Sequence, residues 1–109
     1  MTVNELKDKL QLNTIVMPEA DREISGCYIG DLLSWVMGKA QAGNVWITIM
    51  SNINIVAVAT LCDTALILLA EDVSIEQDVI DAASQRNINI FSSEKSAYTL
   101  AKEISELII

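Results

Sequence analysis

The side chains in this sequence that are equipped for chemistry are few, and their spacing assembles no catalytic set. Histidine is absent, which removes the usual general base and the commonest metal-binding imidazole. Cys27 and Cys62 are 35 positions apart with no nearby ligand partners, so neither a zinc motif nor a disulfide framework is legible. Both are expected to be reduced, buried and apolar in their surroundings. Asp63, Glu71 and Asp72 lie close in sequence, but calcium or magnesium needs more oxygen ligands at defined spacing, and the three read as solvated acids. No nucleophile stands beside a base and no carboxylate pair has an acid-base spacing, so enzyme activity, cofactor and metal are all unexpected.

What remains is a set of polar candidates for ligand contact: Ser51, Asn52, Asn54, Glu71, Asp72, Ser92, Ser93, Ser96 and Tyr98. Serine and asparagine at helix starts are caps before they are ligands, so Ser51, Asn52 and Asn54 have a structural explanation of their own. Ser92, Ser93 and Ser96 have the same explanation at the last helix. Trp35 is a separate candidate, as a platform stacked on a ligand base, as an anchor for a partner surface or as a ring packed beneath the preceding loop.

These residues converge only if the chain forms an open parallel sheet, where loops at the carboxyl ends of strands meet. The segment from Asn44 to Asp72 predicts the centre of such a sheet: a strand over Asn44 to Met50, a helix over Ile53 to Cys62 capped by Asn52, and a wholly apolar strand over Ala65 to Leu69. The helix carries no charged side chain and is expected to be covered on both sides. Before it, Thr2 and Glu5 have capping-box spacing for a helix to Leu10, followed by strands over Asn13 to Met17 and Ile24 to Ile29. Asp31 is placed to cap a helix to Gln41 with the stripe Leu32, Leu33, Val36, Met37 and Ala40. Trp35 lies off that stripe, and Trp46 is expected in the core.

After the central segment, Ser74 is placed to cap a helix to Arg86 with Ile75, Val79, Ile80 and Ala83 facing the core. A strand over Ile88 to Phe91 follows, then a helix whose stripe runs from Ala97 to Ile108. This alternation predicts a three-layer α/β/α sandwich with a mostly parallel central sheet, as one domain over residues 1–109.

Fifteen acidic against seven basic residues give a net charge of -8, which disfavours nucleic acid. The window Ile53 to Ala70 is mostly apolar. Asp63 near its middle would cost about 2.5 to 3.5 kcal/mol in a bilayer, so no membrane span is expected. The first ten residues contain acids and no apolar core of a signal peptide, and a cytoplasmic location is expected.

The stretches NVWITIMSNINIVAVA, ALILLAED, IDAASQRNINIF and SAYTLAKEI resemble a DRTGG domain, the α/β domain similar to the N-terminal domain of HPr kinase/phosphorylase. GDLLSWVM followed by VWIT is similar to stand-alone members found near iron-only hydrogenase and electron-transfer genes. The resemblance implies a regulatory domain serving a redox or metabolic assembly. It departs at the naming residues: Ser51 and Asn52 stand where the family pattern has Asp-Arg, and Leu69, Ala70 and Glu71 where it has Thr-Gly-Gly. Loss of the forked cation and of a glycine turn is expected to weaken any phosphate site. A kinase reading fails too, because Gly38, Lys39 and Ala40 lack Walker A spacing from Gly30 and lack its hydroxyl.

Two functional expectations follow. The first is a non-catalytic regulatory or protein-interaction domain, acting as a homodimer and in contact with a protein partner. The second is a sensor binding an adenine nucleotide in the strand-end crevice.

Overall fold

Short apolar runs bounded by polar turns produce ten elements in the computed structural model, which describes residues 1–108. In chain order they are α1 (Val3–Leu10), β1 (Asn13–Val16), β2 (Gly26–Ile29), α2 (Leu33–Lys39), β3 (Asn44–Thr48), α3 (Asn54–Cys62), β4 (Leu66–Leu69), α4 (Gln77–Gln85), β5 (Ile90–Ser92) and α5 (Ala97–Leu107). The sheet order is β1-β5-β4-β3-β2. Strands β2 to β5 are parallel, and β1 joins the far edge antiparallel to β5.

Side chains alternate across a strand, so β3 and β4 each feed two cores. Val45, Ile47, Leu66, Leu68 and Phe91 pack with Val3, Leu6, Leu10, Leu100 and Ile104 of α1 and α5. Trp46, Ile67, Leu69 and Ile90 pack on the other face with Val36, Ile55, Val56, Ala59, Val79 and Ala83 of α2, α3 and α4. The result is the expected three-layer α/β/α sandwich. Each parallel step moves one strand in the same direction, and right-handed crossovers therefore place α2, α3 and α4 on one face.

Several local expectations are corrected. The capping box of Thr2 and Glu5 forms as read, but α2 begins after Leu32 without a side-chain cap. Asp31 is drawn away, its Oδ1 accepting from Thr48 Oγ1 at 2.8 Å and the Ile49 amide at 2.9 Å. That tie matters more than a cap, because it fastens the end of β2 to the end of β3. Asn52 is not the N-cap of α3 either. Ile53 holds that position, while Asn52 Oδ1 accepts from the Asn54 amide at 2.9 Å in a local turn. Helix α4 starts after Glu76 rather than Ser74. Leu32 and Met37, read as core, are exposed, as is Cys27, while Cys62 is half-buried.

Helix α3 is covered less than its composition suggests. Its inner residues Ile55, Val56, Val58 and Ala59 are buried, with α2 and α4 alongside. Ile53, Ala57 and Leu61 form an outward line in solvent, and Leu61 is 69% exposed. At the opposite end of the sheet, the Asn89 side chain is fully enclosed. Its Nδ2 donates to the Glu19 and Ala65 carbonyls at 3.0 and 2.9 Å, and its Oδ1 accepts from the Glu19 amide at 3.0 Å.

Candidate functional site

The carboxyl ends of β4 and β5 are laced together by backbone bonds. The Ser93 amide donates to the Leu69 carbonyl, the Asp72 amide to the Ser93 carbonyl and the Glu71 amide to the Lys95 carbonyl, each at 2.9 Å. To reach those acceptors Glu71 and Asp72 adopt successive left-handed conformations, with φ of 60° and 59°. Side chains disfavour this region and glycine enters it freely. The turn thus has the backbone shape that a glycine pair favours, built from two carboxylates and lying one position later than the sequence pattern suggested. Its amides are spent on Lys95 and Ser93, so they are not available to an anion.

Beside this turn is a cleft of about 300 Å³ lined by Leu10, Gln11, Asn13, Asp72, Ser92, Ser93, Glu94 and Lys95. Asp72, Ser92 and Ser93 of the sequence candidates are therefore brought together. Several of the polar groups there are already engaged. Asn13 Nδ2 donates to Ser92 Oγ at 3.0 Å, and Ser93 Oγ accepts from the Lys95 amide at 3.1 Å. The Lys95 ammonium lies 2.8 and 3.1 Å from the two carboxylate oxygens of Glu103. The cation of this cleft is already neutralised, with Asp72 and Glu94 on its rim.

The remaining candidates fall outside the cleft. Ser51, Asn52 and Asn54 are exposed near the end of β3. Glu71 is exposed on the turn itself. Ser96 caps α5, its Oγ accepting from the Thr99 amide at 3.2 Å. Tyr98 is 78% exposed and does not line this cleft. Asp63, near Glu71 in sequence, lies at the amino end of the sheet, where it accepts from Arg22 at 2.8 Å. Among the described residues, no three of cysteine, aspartate and glutamate converge as metal ligands. Asn13, Gln11 and Lys95 were missed by the sequence reading, because the antiparallel arrival of β1 beside β5 has no local signature.

Neither thiol is activated. Although part of Cys27 meets solvent, desolvation of its thiol pushes it up to about 11, and burial also raises Cys62, so neither is primed as a thiolate at neutral pH. Trp46 is wholly enclosed, and its indole N–H donates to the Gly30 carbonyl at 2.9 Å. Trp35 is not packed under a loop. It is 59% exposed, with the Lys39 ammonium 4.3 Å from its ring centre.

A second feature concerns the whole surface. Between Ile24 and Cys62 the charged residues are Asp31 and Lys39 alone, in a chain with fifteen acidic and seven basic residues. Among the described residues, the large apolar side chains that are exposed all lie in that same segment except Tyr98: Ile29, Leu32, Trp35, Met37, Ile49, Ile53 and Leu61. Scattered apolar residues need no explanation, but here they are confined to one charge-poor segment of the chain.

Fold and site together define a three-layer α/β/α domain in which Asn13, Asn52, Ser92, Ser93 and Ser96 at the strand ends bond to one another or to the protein's own turns and caps. The structure is similar to a crystal structure of the CBS and DRTGG domains of the regulatory region of Clostridium perfringens pyrophosphatase, complexed with its activator, diadenosine tetraphosphate. The match has a TM-score of 0.72 and 12% identity over 93% of this chain. This chain spans 44% of that one, and at such identity the likeness is one of fold, supporting a DRTGG-like architecture. No protein-family model and no curated protein matches the sequence. No helix among the described residues is long and apolar enough to cross a membrane.

Proposed function

We propose that this chain is a single DRTGG-like regulatory domain without catalytic activity, which works by protein contact, as a homodimer serving a cytoplasmic redox or metabolic assembly. The observation that carries this reading is the confinement of the exposed apolar side chains to the charge-poor segment from Ile24 to Cys62. In a chain of net charge -8, two copies repel each other over most orientations, and a nearly neutral apolar face is where they can meet. Light scattering at micromolar concentration tests the dimer, with an expected mass of twice 11.9 kDa. A mass of one chain across that range removes the homodimer.

A second reading, an adenine-nucleotide sensor, is favoured by one observation: the similar pyrophosphatase regulatory region was solved with diadenosine tetraphosphate. Here the cleft at the ends of β4 and β5 would be the binding place, with Asn13, Ser92 and Ser93 as contacts. Lys95 held by Glu103, and Asp72 and Glu94 on the rim, oppose a polyphosphate. Calorimetry with ATP, AMP and diadenosine tetraphosphate is expected to give no heat, and saturable heat would promote the sensor reading over the first. Transfer of phosphate from ATP to a protein is likewise expected to be undetectable.

A further inference from the structure

Strand β2 is one edge of the sheet, and from Cys27 to Ile29 its backbone makes no hydrogen bond on that edge with any described residue. The Gly30 amide donates to the Ile47 carbonyl at 3.2 Å while Ile29 is in register with Ile47. In a parallel ladder this phase turns Tyr28 and Gly30 toward β3, and turns the N–H and C=O groups of Cys27 and Ile29 outward. Just before β2 the same edge is already closed, because the Ile24 amide donates to the Met1 carbonyl and the Val3 amide to the Arg22 carbonyl, both at 2.9 Å. The two edges are treated differently. Strand β1 is interrupted by a register shift between Thr14 and Val16 and followed by Pro18, both of which discourage further pairing. Strand β2 has no proline, no charge and no bulge.

Apolar side chains flank the open edge on both faces. Ile29, 47% exposed, lies on the α5 side, where a cavity of about 350 Å³ is lined by Cys27, Ile29, Ala101, Ile104, Ser105 and Ile108. Leu32, 60% exposed, and Trp35 are on the α2 side. Ile29, Leu32 and Trp35 alone leave roughly 350 Å² in water, close to half of the ~800 Å² that each partner of a stable interface buries.

We propose that the occupant of this edge is a second copy of the same chain, whose β2 pairs antiparallel across a two-fold axis at Tyr28, continuing the sheet through both protomers. The proposal rests on the homodimer reading and names its surface. It is self-complementary. Cys27 of each copy faces Ile29 of the other as a hydrogen-bonded pair, and the outward N–H and C=O groups of both residues find partners without remainder. The copy is also the occupant that charge selects, since the edge lies in the segment whose two charged residues, Asp31 and Lys39, cancel.

The test uses cross-strand disulfide formation in the full chain. In a Cys62→Ser background, Ile29→Cys places a new thiol opposite Cys27 of the other copy, at the Cα separation of about 5.5 Å that a hydrogen-bonded antiparallel pair gives and a disulfide accepts. Mild oxidation is expected to convert most of the protein to a reducible covalent dimer of unchanged circular dichroism. In parallel, Ile29→Lys is expected to halve the light-scattering mass of the native dimer, while Leu61→Lys on the outer line of α3 leaves it unchanged. A dimer that resists Ile29→Lys, yields no covalent dimer and falls apart with Leu61→Lys overturns the β2 edge and keeps the homodimer. A wild-type monomer at about 100 μM overturns both.

Discussion

The left-handed pair at Glu71 and Asp72 makes a quantitative prediction, because two side chains occupy a backbone region that glycine enters freely. Each L residue there carries about 1 to 2 kcal/mol of strain, with Asp at the low end because its short polar side chain tolerates the region. Replacement by glycine relieves that strain but raises the entropy of the unfolded chain, which costs about 0.4 to 1 kcal/mol per position. Both side chains are exposed, so little packing is lost. The double variant Glu71→Gly, Asp72→Gly is therefore expected to gain about 1 kcal/mol, or roughly 4 to 8 °C in Tm for a domain of this size. Urea unfolding followed by circular dichroism measures the gain. Relief of charge repulsion is separated by Glu71→Gln, Asp72→Asn, which keeps both β-carbons and is expected to gain less than half as much. If the amide variant matches the glycine variant, the gain is electrostatic and the strain argument is wrong. If the glycine variant is less stable than wild type, the turn is held by its side chains rather than by the amide bonds to Lys95 and Ser93.

Three further outcomes follow from the same geometry. Asn89→Ala removes three hydrogen bonds to the Glu19 and Ala65 backbone inside the protein. At about 1 kcal/mol net for each, it should cost about 3 kcal/mol in denaturant unfolding. Thr64 Oγ1 is buried and makes no hydrogen bond with any described residue, so Thr64→Val should be stabilising, by about 1 kcal/mol in the same assay. The Arg22 hydrogen bond holds the Asp63 carboxyl below its ordinary value, so its contribution is present above the unfolded pKa of about 4 and lost as pH falls through the lower folded value. Arg22→Gln should accordingly lower Tm between pH 5 and 8, with the difference from wild type narrowing below about pH 4 to what the untitratable bond from Arg22 Nη2 to the Asp63 carbonyl contributes. For so exposed a pair the effect is under about 1 kcal/mol.

The elements that could be read from the sequence are those whose burial is enforced over several consecutive residues. Ala65 to Leu69 had to be a covered strand, and the β3 segment likewise, because a run that is apolar on both faces has few other places to go. Helix starts were less legible, since a cap is a local bond that a tertiary bond can outbid. Asp31 illustrates this: it gives up the α2 start for Thr48 and Ile49, 17 and 18 positions away. Met37 and Leu32 were misread because α2 is seven residues long and presents little more than Val36 fully to the core. The cleft was half legible. Ser92 and Ser93 at the end of β5 and the acids after β4 fall at the carboxyl end of the sheet, as strand direction alone predicts. The left-handed turn was not, because nothing in the pair Glu-Asp announces a positive φ. The Lys95 to Glu103 pair was also hidden, since its members span the turn before α5 and not one face of the helix.

The topology explains why the strand-end candidates do not converge on one crevice. A switch point requires neighbouring parallel strands whose crossovers leave in opposite directions. Here β2, β3, β4 and β5 follow one another in a single direction, with α2, α3 and α4 on one face, so no crevice divides β3 from β4. The one reversal is β1 against β5, and the cleft with Asn13, Ser92 and Ser93 sits there. That edge is separated from β2 by four strand spacings, about 19 Å. The cleft and the proposed pairing edge can consequently be occupied independently, and Ile29→Lys should leave any response to adenine nucleotides as it is in wild type. A nucleotide response that vanished with the dimer would place the ligand across the two-fold axis instead of in the cleft.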